Sequence, residues 1–145
     1  MNVFAAVIAG LAGTAAMTLL MMLAPAMGMP KMDIMGMLGS MVSKDAGRAR
    51  VIGAVMHFMM GIVFALIYTF LWGRGIGSAA VVWGLIFGLV HGLVVGVMMP
   101  MMSRMMPSSS TSAAGGSGGM ARLIGLVMGH LVFGLVVALV YVALA

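Results

Sequence analysis

Four side chains suited to soft-metal ligation fall one to each apolar stretch of this chain: Met17, His57, His91 and His130. Imidazole binds copper, zinc or iron, and a thioether selects copper(I). A neutral imidazole also escapes the charge penalty of burial in an apolar medium. Two of the histidines open a repeated motif, His-x3-Gly-x3-Ala-x2-Tyr. It is carried by His57, Gly61, Ala65 and Tyr68, and half a chain later by His130, Gly134, Ala138 and Tyr141. A titratable group at the same point of two membrane helices is costly and needs a reason. Copper binding, ligation of a b-type haem and proton handling are the chemical reasons available. The simplest expectation is that there is no cofactor. Each histidine would then bond a carbonyl, a tyrosine or a threonine on a neighbouring helix, with Thr14 and Thr18 as candidate partners.

Other chemistries lack their residues. Both acids, Asp33 and Asp45, lie between the first two apolar runs, so a buried Ser-His-Asp relay has no acid, and no Gly-x-Ser-x-Gly elbow occurs. Proton relays usually need carboxylates, and the runs contain none. Cysteine is absent, which removes disulfides, thiolate metal sites and a cysteine nucleophile. An enzyme is not expected. Methionine is abundant, with 21 residues, many beside the loops: Met27, Met29, Met32, Met35, Met37 and Met41, then Met98, Met99, Met101, Met102, Met105 and Met106. Clustered thioethers collect copper(I) or silver(I), but methionine is also a pliable apolar filler. Filler is the favoured reading here.

The elements that hold these groups follow from composition. Of 145 residues, 64% are hydrophobic and 6% charged, too few charges to cover a water-soluble surface. Four runs, about 3–24, 51–72, 79–99 and 121–144, each reach the roughly twenty residues that cross a bilayer. The first has no basic n-region and exceeds an h-region, so it reads as a retained span. Lys31, Lys44, Arg48, Arg50, Arg104 and Arg122 lie on one side and Arg74 on the other. The positive-inside rule then predicts a multi-pass protein of the cell (cytoplasmic) membrane, with loops 25–50 and 100–120 cytoplasmic and both termini extracytoplasmic. The basic residues are not interleaved with stacking aromatics, so nucleic acid is not expected. The partners implied are the lipid bilayer and either a second copy of the chain or a larger membrane complex.

The halves align through Gly10-Leu11 with Gly84-Leu85, Pro25 with Pro100 and the histidine motif with itself. The expected fold is therefore one all-α transmembrane domain over 1–145. Its four helices form two tandem, parallel-repeat hairpins, repeat 1 over about 1–72 and repeat 2 over about 79–145. Parallel repeats occur in transporters, though they argue only weakly for transport. Apolar residues at helical spacing within 31–43 predict a short interfacial helix in the first loop. Residues 107–119 read as a flexible serine- and glycine-rich linker. Gly73–Gly77 is the tight turn between halves.

Lipid gives helices no hydrophobic drive to associate, so small residues mark their contacts. Gly84, Gly88, Gly92 and Gly96 form one stripe, Gly53, Gly61 and Ala65 share a face with His57, and Gly134 and Ala138 share one with His130. His91 falls beside the first stripe. At 1.5 Å per residue, all three histidines sit within ~3–7 Å of mid-span, and Met17 at a similar depth. The repeat relates His57 to His130 and Met17 to His91.

The first-loop run Pro25-Ala-Met-Gly-Met-Pro-Lys-Met-Asp-Ile-Met-Gly-Met-Leu-Gly39 follows a span of the type Gly-Leu-Ala-Gly-Thr-Ala-Ala-Met. With Met56-His-Phe-Met-Met-Gly61 and His130-Leu-Val-Phe-Gly134, it resembles a family of small bacterial and archaeal four-span membrane proteins of unknown function. That resemblance implies a membrane location and four spans, and no particular activity. Two functional readings stand. One is a non-enzymatic bundle that binds or moves a small solute or soft metal ion through its Met and His residues. The alternative is a haem-bearing electron-transfer anchor, or a structural subunit of a membrane complex.

Overall fold

The computed structural model describes residues 1–105 and 119–145, with side chains described through 101 and again from 119. All regular structure among them is helical: α1 (Val3–Leu23), a 3-10 turn (Ala24–Met27), α2 (Ile34–Ser40), α3 (Ala46–Gly73), α4 (Val81–Met105) and α5 (Gly119–Leu144). Four helices are long and apolar enough to cross a membrane. The linker expected over 107–119 lies outside the described residues except for Gly119, which opens α5, and Met106 and the side chains of Met102, Arg104 and Met105 are likewise outside them.

Three N-termini are capped by side chains, which supply acceptors for otherwise orphaned amides. Asn2 Oδ1 accepts from Ala5 N at 3.1 Å to start α1, Asp33 Oδ1 from Gly36 N at 2.8 Å to start α2, and Asp45 Oδ1 from Arg48 N at 2.8 Å to start α3. Both acids of the chain are thus committed to helix starts. Asp33 Oδ2 also meets Arg50 Nε at 3.3 Å, an exposed pair that adds little stability.

The two prolines expected to match behave differently. Pro25 lies in the 3-10 turn that follows α1, whereas Pro100 lies inside α4, which continues to Met105. Proline removes a single amide donor, and that loss falls near the end of a long helix.

Helix order around the bundle is α3, α1, α5, α4, with backbone contact at α1·α3, α1·α5 and α4·α5, and α2 docked on α3. Small residues set the close contacts. A Cβ added at Gly10 would lie 2.8 Å from Gly61 O and 3.0 Å from Ala65 Cβ. One at Gly84 would collide with Gly134 O and lie 2.8 Å from Ala138 Cβ, and one at Gly88 would collide with His130 O. Gly92 and Gly96 face Val127 and Leu123 of α5, so the whole α4 stripe serves a single partner. Gly53 also packs against a helix, but its partner is the short α2 and not a span. It packs under the Met35 carbonyl of α2, while Gly39 of α2 sits against Ala49. Its stripe therefore splits, with Gly61 and Ala65 facing a span and Gly53 facing the short helix.

The first and last residues meet at one end of the bundle, where Asn2 N donates to Tyr141 Oη at 3.0 Å and Asn2 Nδ2 to Leu144 O at 3.3 Å. The α3–α4 turn shares that end, with Gly75 and Gly77 both at φ +83°, a conformation glycine adopts without steric cost.

Candidate functional site

His91 and His130 lie side by side. Their ring centroids are 4.5 Å apart with planes at 68°, an edge-to-face pair joining α4 to α5. His130 Nδ1 donates to Leu126 O, one turn back in its own helix, at 2.8 Å. A carbonyl can only accept, so the proton sits on Nδ1 and a neutral His130 keeps its Nε2 lone pair free. His91 Nδ1 is bonded to the Tyr68 hydroxyl of α3 at 3.1 Å. Each ring is thus held through Nδ1; His130 keeps its Nε2 lone pair, and His91 does so in the tautomer whose Nδ1 donates to the Tyr68 oxygen. Histidines that bind metals are oriented in this way, with the second nitrogen tied to an outer partner.

The surroundings are aromatic on one side and small on the other. Phe64 lies over His91 with centroids 3.8 Å apart. Phe133 lies 6.0 Å from His91 and 5.9 Å from Tyr68. On the opposite face Gly92 approaches the His130 side chain closely, since a Cβ there would lie 3.1 Å from His130 Cβ.

Met17 and His57 are placed differently. Met17 of α1 is buried and lies against Gly129, the residue before His130, with Cγ 3.3 Å from where a Cβ would project. His57 is buried on α3, edge-on to the neighbouring Phe58 ring at 6.3 Å. Of the four candidate ligands, only His91 and His130 are in ring contact, with Met17 against the residue that precedes His130. Among the described residues no three His, Cys, Asp or Glu side chains group closely enough to hold a metal ion. Met17 of α1 faces α5 at Gly129, and His91 of α4 faces α3 at Phe64 and Tyr68.

The threonines expected as histidine partners serve elsewhere. Thr14 Oγ1 donates to Gly10 O at 2.7 Å, and Thr18 Oγ1 is buried with no hydrogen-bond partner among the described residues. The partners are Tyr68 and the Leu126 carbonyl. Tyr68 was visible as the last residue of the first histidine motif, although it bonds His91 and not the motif's own His57. Nothing in the sequence signals Leu126, because any residue four before a helical histidine offers the same carbonyl.

No protein-family model, curated protein or solved structure matches the chain. The four-span, all-α bundle implied by the sequence resemblance is present, and the family itself gains no support from these comparisons.

Proposed function

We propose that this is a non-enzymatic membrane protein that binds and moves a small solute or soft metal ion through its bundle, with His91 and His130 as the central station. One observation carries the reading. Two imidazoles from different helices lie in contact at mid-span, each tied through Nδ1, and with Nδ1 protonated each leaves Nε2 for a ligand. Haem is the weaker reading, because rings 4.5 Å apart and edge to face leave no plane for a porphyrin between them.

Two further features belong to this reading. The chain is a duplicated hairpin, supported by the matching contacts of Gly10 with Gly61 and Ala65, and of Gly84 with Gly134 and Ala138. The loop end that carries Lys31, Lys44, Arg48 and Arg50 faces the cytoplasm, on the charge asymmetry. A reporter fused after Ala145 then reads as extracytoplasmic, and the opposite reading overturns the orientation.

The functional test is ion flux into proteoliposomes carrying an internal indicator, with Ag+, Cu+ and Zn2+ presented in turn. Wild type should pass at least one of these ions, and a His91→Phe, His130→Leu double variant should lose that flux while remaining folded. Equal flux through both proteins, or none through wild type, would contradict the proposal.

A further inference from the structure

A second feature lies away from the histidine pair, at the loop end of the bundle. There the end of α1, the strap that follows it and the start of α5 enclose a cavity of about 130 Å³. Met21, Met27, Met29, Met32 and Met128 are five of its eleven lining residues, against 21 of 145 in the whole chain. The five come from three separate segments, so the fold and not local sequence gathers them. Gly125 makes room for one of them: a Cβ there would lie 2.9 Å from Met29 Cε. Methionine used only as filler closes gaps, whereas these side chains border a space left open.

We infer that this cavity is a thioether site for a soft monovalent metal ion, Cu+ or Ag+, and that such an ion is the cargo of the bundle. Thioether sulfur is a soft, neutral donor that favours Cu(I) over harder ions. It needs no deprotonation, so binding involves no proton release. No imidazole or carboxylate lines the cavity, so zinc has no preferred ligand there. The geometry also gives the ion a way onward. Met21 lines the cavity, and its Cε lies 3.9 Å from the Cβ position of Gly129, where Met17 Sδ lies at 3.8 Å. Thioethers therefore continue from the cavity to the residue beside His130. The binding site stands on its own lining, while the assignment of cargo rests on the proposed movement through the histidine pair.

The test is Ag+ binding to the purified full chain in detergent, by equilibrium dialysis against wild type, a Met27→Leu, Met29→Leu, Met32→Leu triple variant and the His91→Phe, His130→Leu variant. Wild type should bind Ag+ saturably without competition from Zn2+. The triple variant removes three of the proposed ligands and should bind more than about a hundredfold more weakly, beyond the roughly ten- to hundredfold that loss of outer-shell partners alone costs a metal site. The histidine variant should keep the saturable, methionine-dependent binding and lose only the binding that the histidine pair itself contributes. Met128→Leu, on α5 and outside the strap, provides a second variant with the same expected direction should the triple variant fail to fold. Absence of Ag+ binding in wild type, Zn2+ competition, or full affinity in the methionine variants overturns the site. Ag+ binding that depends on the methionines, alongside flux unaffected by the histidine variant, upholds the site and rejects the histidine station instead.

Discussion

The helix pairs α1·α3 and α4·α5 meet along two seams built in opposite ways. In the α1·α5 seam, Gly13 of α1 brings the backbones together. A Cβ at Gly13 would lie 2.9 Å from Phe133 and 3.0 Å from Val137. In the α3·α4 seam, Phe64, Tyr68 and Trp72 interleave with Phe87 and His91, and Trp72 stacks on Phe87 at 5.9 Å and 15°. Small side chains close one seam, and rings keep the other open. The polar pair sits beside the open one. A buried imidazole needs room and a partner, and backbones in direct contact provide neither.

The largest expected effect comes from the α4·α5 contact, which sets the scale for both seams. Gly84→Leu or Gly134→Leu drives a side chain into a facing backbone carbonyl, which cannot rotate aside. The loss should exceed the ~1–3 kcal/mol usual for overpacking, seen as a collapse of thermal half-life in detergent. Gly73→Leu meets nothing within 4 Å and should behave as wild type. Comparable loss from Gly73→Leu would show that the stripes are not contact surfaces.

The seams themselves are separated by a matched pair of substitutions. Gly13→Leu should cost on the order of 1–3 kcal/mol by overpacking the closed seam. Phe87→Leu, a smaller change in a seam already held apart, should cost less than about 1.5 kcal/mol. Equal costs would remove the distinction between them.

The smallest effect sharpens the site. Tyr68→Phe deletes the hydroxyl bonded to His91 and should cost about 1 kcal/mol. The loss should vanish when His91 is already phenylalanine, since the two changes remove one interaction. Additive losses would mean that the hydrogen bond contributes nothing.

Much of this was legible in the chain. Apolar run length gave the four spans, and four-residue spacing gave the glycine faces of Gly84–Gly96 and Gly61, because both follow from helix geometry alone. The pairing of faces was not. Gly53 reads like Gly61 on a helical wheel, yet it serves α2, since which helix covers a face depends on where the loop returns. His57 and His130 read as equivalents, yet only His130 contacts another histidine ring. The partner of each is set by the seam it borders, and seam width depends on side chains from a different helix. Asp33 and Asp45 read simply as loop acids, although a short residue ahead of a helical segment is a cap signal.

The central claim is that His91 and His130 present Nε2 to a ligand while His57 stands apart from that role. Nitrogen-15 NMR of histidine-labelled protein in detergent tests it most directly, by reading the ring nitrogens before and after adding the ion that crosses proteoliposomes. The account predicts a neutral His130 protonated at Nδ1, with ion-dependent shifts at Nε2 of His91 and His130 and little change at His57. Shifts confined to His57, or a His130 protonated at Nε2 in the free protein, would contradict it.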